Sequence, residues 1–499
     1  MTKTQTLESE FVMPEVKAWL NGTKKLLIGN RWIESASGKT FHVIDPATGG
    51  VLATVAEAGV EDAENAARAA RRALETSWAQ TTPAERGRLL WKLADLIDEH
   101  AQEFQQLESL DTGKPILETL VFDVPVASDH FRYFAGWATK VNGETLTPSL
   151  PGEALAYTRR EPVGVVAAIV PWNFPLAIAS WKLAPALACG NTVILKPSEI
   201  TPLTALRLGE LMLEAGFPPG VVNILPGFGA EVGAALVNHA GVDKISFTGS
   251  TRVGREILIS SARDFKRVTL ELGGKSPNII LPDADLDAAL GGSMSAIFFN
   301  QGEACAAGSR LFVPREDLDE IVQNLASRAA EIVQGVGIDP MTQMGPLVSQ
   351  THMNRVMGYI EKGVQEGAEL VTGGSRNSSL PGYYVQPTIF AGRDEHTIAR
   401  EEIFGPVLTA LPYDDLDDLV RRANNSSYGL AASIWTRDVK QGIRIAHALK
   451  AGSVWINGYG MLDATLPWGG FKQSGIGREM GKYALETYTE VKTVWVNLL

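Results

Sequence analysis

The sequence predicts an α/β protein: two parallel-sheet units in series, with a small β arm. Three observations carry that prediction. From Val163 onward, short β-branched runs ("VGVVAAIV", "NTVILK", "GVVNIL", "DKISFTG") alternate with helical segments. After Glu271 a second series of the same kind begins, through "SRLFVP", "YYVQPTIFAG", "AASIWTRD" and "GSVWING". Near-continuous apolar strands alternating with helices belong to parallel sheets covered on both faces. Third, "KVNGETLTPSLPGEALAYTRREP" is rich in turn formers and β formers and reads as a hairpin leaving the main body.

Each element follows in order. "MTKTQTLESEFVMPEV" lacks the apolar core and cleavage site of a signal peptide. Further on, "EDAENAARAARRALE" places alanines on one stripe and charges on the other, and "AERGRLLWKLADLIDEHAQEFQQLESL" continues that helical period. In "TPLTALRLGELMLEAG", Thr201 is placed to cap a helix and Pro202 suits its first position. The two units meet near 271–275, and the last strand is "TVWVN". The expected division is 1–143 with 163–273, then 274–482, with 144–162 and 483–499 forming the arm.

Composition narrows the function. A chain of 499 residues exceeds one compact core. Apolar residues at 45% and charged residues at 20% are ordinary for a soluble protein. A net charge of −12 argues against nucleic acid as a partner. Two cysteines, Cys189 and Cys305, build no disulfide framework and fit a reducing cytoplasm. The seven histidines show no ligand spacing, so no metal is expected. The apolar run 163–170 stops at Pro171, too short to span a membrane.

A nucleotide site is looked for where a strand ends and a helix begins. "GFGAEVG" at 227–233 misses the G-x-G-x-x-G spacing and reads as a turn. "ISFTGSTRVG" fits better: a strand ends at Thr248, Gly249 turns, and Ser250 opens a helix. In "ILKPSE", Lys196 and Glu199 stand at a strand's carboxyl end. A lysine there can hold a ribose hydroxyl or phosphate. A carboxylate accepts from a ribose 2′-OH and repels a 2′-phosphate, which favours NAD over NADP. An ordinary strand-end turn explains each stretch equally well alone.

The thiol of Cys305 lies in "FFNQGEACAAGSR", among small residues after an apolar stretch. A reactive thiol needs a base and an oxyanion donor nearby, because a free thiol with a pKa of roughly 8.5 is mostly protonated at neutral pH. Glu271 in "TLELGGKSPNII" ends a β run before two glycines and is a candidate base. Asn173 in "VPWNFP", held between prolines, is a candidate oxyanion donor. A buried filler thiol, a strand-end carboxylate and a rigid corner are the plainer alternatives.

Taken together, "PWNFP", "KPSE", "FTGST", "ELGGKSP", "FFNQGEACAAGSR", "EEIFGPV" and "PWGGFKQSGIGRE", in this order and at these separations, resemble the NAD(P)-dependent aldehyde dehydrogenase superfamily over essentially the whole chain. The resemblance implies a Rossmann-like cofactor domain, a second α/β catalytic domain and a β oligomerisation arm. It implies Cys305 as the nucleophile and Asn173, with the Cys305 backbone N–H, as the oxyanion hole. Glu271 becomes the base that activates water. Lys196 and Glu199 would contact the adenine ribose, Gly249 and Ser250 the pyrophosphate, and Glu402 the nicotinamide ribose, with Phe404 packing beside it. Phe174, Trp181, Phe299, Leu462 and Trp468 would line an aromatic, uncharged substrate funnel.

The expected reaction is irreversible, NAD-dependent oxidation of a small aldehyde to its acid. The segment "GYGMLDATLPWGGFKQSG" resembles the bacterial phenylacetaldehyde dehydrogenases. Betaine aldehyde or broad-range aliphatic and aromatic aldehydes are the alternatives, and an inactive binding homologue is the reading from another class. The resemblance further implies a homotetramer built as a dimer of dimers. One departure stands beside the nucleophile: many relatives carry glutamine where this chain has Glu303, and its side chain is expected to point away from the thiol. Cys189 reads as a small buried hydrophobe.

Overall fold

The structure, a computed structural model, describes residues 3–498. Its first large sheet has eight strands. Five form a parallel core, in the order Arg267–Glu271, Lys244–Thr248, Val165–Ile169, Thr192–Lys196 and Val222–Ile224. The chain builds outward from Val165–Ile169 to Val222–Ile224. It then crosses back to lay Lys244–Thr248 on the other side of the starting strand. Ligand crevices form at such a reversal, outside the carboxyl ends of the strands. Here those ends are Ile169, followed by "VPWN", and Thr248, followed by Gly249 and Ser250.

The strand interiors are wholly buried, as the unbroken apolar runs require. One face is covered by Val60–Glu75, whose alanines 63, 66, 67, 70 and 73 are all buried. On the other, the helix Pro175–Ala188 is buried along its entire length. The long helical stretch after residue 82 is two helices, Pro83–Glu99 and Ala101–Thr112, broken at His100. The antiparallel strands Leu26–Ile28 and Arg31–Ile33 close one edge of the sheet. On the opposite edge, Gly475–Ile476 pairs with Arg267–Glu271, although the expected division puts 475–476 in the second unit.

One capping expectation is corrected. The helix Leu203–Ala215 is not capped by Thr201, whose hydroxyl donates to the Trp172 carbonyl at 3.2 Å. The orphan N–H of Leu203 instead donates to the Asp111 carboxylate at 2.9 Å. The "GFGAEVG" stretch contains a single π-helical turn, Gly229–Gly233.

The second large sheet has seven strands. Six are parallel, including Pro277–Ile280, Arg310–Pro314, Val407–Tyr413 and Ala431–Trp435. Glu369–Thr372 is antiparallel at the edge. The link between the sheets runs from the carboxyl end of Arg267–Glu271 to the amino end of Pro277–Ile280 in five residues. The space between the sheets is therefore bounded by strand ends of the first and strand beginnings of the second. Segments far apart in sequence, Ala154–Pro162 and Thr489–Asn497, pair antiparallel along nine residues, with Thr145–Leu146 beyond. This third sheet leaves Leu155, Val491, Trp495 and Val496 exposed.

Candidate active site

Asn173 is brought into the space between the sheets by the turn after Val165–Ile169. It is fully enclosed, just ahead of Pro175, which opens the next helix. Its main-chain carbonyl accepts from the Lys114 ammonium at 2.9 Å and from the Asn300 side-chain amide at 3.0 Å. Its own side-chain amide donates to the Glu303 carbonyl at 2.9 Å. An amide nitrogen carries two hydrogens, so one is left for a ligand.

Cys305 arrives on a turn of unusual backbone. Beyond the helix Leu286–Phe298, Asn300, Gln301 and Gly302 all have left-handed φ, at 49°, 53° and 72°. Such a run is costly for non-glycine residues, roughly 1–3 kcal/mol each, and persists where surroundings enforce it. Asn300 is held by its side-chain amide, which donates to the Asn173 and Glu303 carbonyls, and at Gly302 any Cβ would collide with the Gly405 carbonyl and Pro406. Burial pushes the Cys305 thiol up, and the Glu271 and Glu402 carboxylates push it further.

Glu271 ends its strand inside the same space. Neither of its carboxylate oxygens has a hydrogen-bond partner. Burial and the neighbouring Glu479 hold its carboxyl well above the usual range, while Lys182 and Arg478 oppose them. An acid with unengaged oxygens and a raised pKa is fitted to exchange protons with a reacting group or water.

Two cavities meet at this sulfur. The first, about 120 Å³, is a cleft lined by Trp172, Thr248, Gly249, Ser250, Glu402 and Phe404, together with Asn173, Glu271 and Cys305. Ser250 caps the twelve-residue helix Thr251–Ala262, accepting from the Val253 N–H at 3.3 Å. The positive end of that helix thus faces the cleft. Glu402 accepts from the Gly274 N–H at 2.9 Å, and burial lifts its carboxyl to about 7. Its carboxylate occupies the place a side chain on Gly273 would take, which accounts for glycine there. Lys196 and Glu199 do not line this cleft; they pair with each other at 3.0 Å one strand away, with Glu199 partly exposed.

The second cavity, about 210 Å³, holds all five residues expected of the funnel: Phe174, Trp181, Phe299, Leu462 and Trp468. Phe174 and Phe299 stack at 6.1 Å, and Trp181 lies 6.4 Å from Trp468. No charged side chain lines it. Phe122 and Trp455 also line the wall and were missed from sequence. Phe122 sits in a π-helical turn, Thr119–Asp123, with nothing in its neighbours to mark it. Trp455 lies inside a strand, where an aromatic residue signals packing as readily as a ligand.

The profile of the aldehyde dehydrogenase family matches residues 32–494. The chain belongs to the aldehyde dehydrogenase family. It is 47% identical over 499 residues to the human mitochondrial aldehyde dehydrogenase, covering 99% of this chain and 95% of the other. It is 46% identical over 501 residues to the phenylacetaldehyde dehydrogenase of Pseudomonas fluorescens, covering 99% of each. The solved NAD+ complex of an aldehyde dehydrogenase from Bacillus cereus matches with a TM-score of 0.96 at 52% identity, covering 98% of this chain and 99% of that one.

In this aldehyde dehydrogenase the cleft residues fit a dinucleotide. The Thr248 hydroxyl is buried on the cleft wall without a hydrogen-bond partner, and a helix N-terminus stands beside it. Cys189, by contrast, is buried in the core, its thiol pushed up to about 12 by burial. No helix among the described residues is long and apolar enough to cross a membrane.

Proposed function

We propose that this aldehyde dehydrogenase oxidises phenylacetaldehyde to phenylacetic acid with NAD, using Cys305 as nucleophile, Asn173 as oxyanion donor and Glu271 as base. One observation carries the reading: Cys305 lines both the apolar tunnel and the polar cleft. Glu271 takes the proton of the Cys305 thiol and passes it to solvent, the sulfur attacks the aldehyde carbon, and the carbonyl electron pair moves to oxygen. The free hydrogen of the Asn173 amide and the Cys305 backbone N–H hold that oxygen. NAD, bound in the cleft, supplies the acceptor for the hydride the carbon loses. The carbon then remains on Cys305 as a thioester. Glu271 takes a proton from water as the water attacks, the sulfur leaves and takes up that proton, and the acid is released. Lys196 and Glu199 would hold the adenine ribose, Gly249 and Ser250 the pyrophosphate, and Glu402 with Phe404 the nicotinamide ribose.

Losing an oxyanion donor typically costs about 10²–10³ in rate. Asn173→Ala is expected to fall in that range in kcat, measured by NADH formation at saturating aldehyde. A loss under threefold would remove Asn173 from the oxyanion hole.

For the substrate, the support is a ring-lined wall with no charge, which suits a flat apolar ring. The relative from Pseudomonas fluorescens carries a name of that activity. The same rings could also cage a quaternary ammonium, so betaine aldehyde is the second reading. NADH absorbance followed with phenylacetaldehyde, betaine aldehyde and a short aliphatic aldehyde decides, with and without coenzyme A. The highest kcat/KM is expected for phenylacetaldehyde, without a coenzyme A requirement. A preference for betaine aldehyde would overturn the substrate.

We read the arm as the element that joins copies into dimers and pairs of dimers into a tetramer. Its exposed Leu155, Val491 and Trp495 are the support, since open apolar strand edges invite pairing. Sedimentation at monomer mass would refute this. The free state of both cysteines suits a reducing cytoplasm.

A further inference from the structure

Glu303 is the chain's departure beside the nucleophile, and the structure shows what its side chain does. The side chain is 1% exposed and points away from Cys305. Its Oε1 accepts from the Val348 N–H at 3.0 Å. The main-chain carbonyl of the same residue accepts from the Asn173 amide at 2.9 Å and from the Asn300 amide at 3.0 Å. One residue is thus held by its carboxyl on one side and holds the oxyanion donor on the other.

The segment it grips also holds the cofactor side of the site. Four residues past Val348, His352 donates from Nε2 to the Phe404 carbonyl at 2.6 Å. Burial lowers the His352 ring to about 4, so it is a neutral donor. Trp172 packs edge-on against both His352 and Phe404, at 5.1 and 5.2 Å. Gly302, one residue before Glu303, lies against Gly405 and Pro406. Three segments meet here: the nucleophile turn, the Val348–His352 segment and the loop of Glu402 and Phe404. Burial holds the Glu303 carboxyl well above the usual carboxylate range, against the Val348 N–H and the Lys114 ammonium.

We propose that Glu303 is a positioning residue: its carboxyl, pinned to the Val348 N–H, holds its own carbonyl where it receives the Asn173 amide. It thereby sets the oxyanion donor and Cys305 in register with the Glu402–Phe404 loop. The role belongs to the acceptor oxygen and not to a charge. It rests on the assignment of Cys305 and Asn173 above.

Single-turnover NADH formation with phenylacetaldehyde tests it in the parent enzyme, Glu303→Gln and Glu303→Ala. Glutamine keeps the acceptor, and its rate is expected within about twofold of the parent. Alanine frees the turn, and small misplacements of reacting groups cost up to about 10²-fold. Its rate is expected to fall ten- to a hundredfold, while NAD affinity, read by tryptophan quenching, stays unchanged. An alanine variant as fast as the parent overturns the proposal, and so does a glutamine variant as slow as alanine. Should alanine fail to fold, Glu303→Met, which fills the volume without an acceptor, is read in its place. Labelled aldehyde separates the two layers. A parent that never carries label on Cys305 defeats the nucleophile assignment and this role with it. A labelled parent beside an unimpaired alanine variant defeats the positioning role alone.

Discussion

Cys305→Ala is expected to form no acid from aldehyde while binding NAD with the affinity of the parent. In the proposed mechanism the sulfur is the group that makes the covalent bond, and no second thiol can replace it: Cys189 is enclosed in the core. Losing a nucleophile costs on the order of 10⁶ in rate in comparable covalent mechanisms. The cofactor surface survives, because Trp172, Gly249, Ser250 and Glu402 contribute the cleft without Cys305's side chain. Trp172 lies on that wall, so quenching of tryptophan fluorescence reports binding directly. Labelled aldehyde with NAD should load the parent on Cys305 and leave the variant bare. Turnover in the variant, or label recovered on another residue, would defeat the covalent route.

Glu271→Gln is expected to trap the acyl-enzyme. The first NADH should appear as a burst matching the number of active sites. Steady turnover should then fall by about 10²–10⁴, the usual cost of losing a general base. The pH dependence has a definite sign. The carboxyl of Glu271 stands well above the usual range through burial and Glu479, so falling pH protonates it early. A protonated acid cannot take a proton from water, and hydrolysis of the thioester slows as pH drops through that pKa. The parent's steady rate should therefore climb as pH rises through that raised pKa, and the glutamine variant should lose that climb. A glutamine variant that turns over like the parent, with no burst, would assign water activation elsewhere.

Much of this architecture was legible in the sequence where a feature is local. The apolar runs around Val165 and Val193 give buried strands because a two-residue alternation is absent from them. Ser250 follows its strand and caps its helix through a contact three residues away. Asn173, Glu271 and Cys305 could be named from their neighbours, and the structure gathers all three on one cleft. What depended on distant partners was not readable. The cap of Leu203–Ala215 comes from Asp111, 92 positions earlier, so a nearby threonine misled. The edge strands at 26–33 are short and set by pairing with Val222–Ile224. The anchor of the Glu303 carboxyl, the Val348 N–H, lies 45 positions on and has no local signal.

The meeting of two cavities at one sulfur has a practical consequence. The tunnel and the cleft share only Ile178 and Cys305 along their walls. Catalyst designers can therefore rebuild the tunnel wall at Leu462 or Phe122 without touching the wall of the cleft proposed for the dinucleotide. On the proposed reading, breadth of diet and choice of redox currency become separately adjustable traits in this scaffold, joined at Ile178 and Cys305.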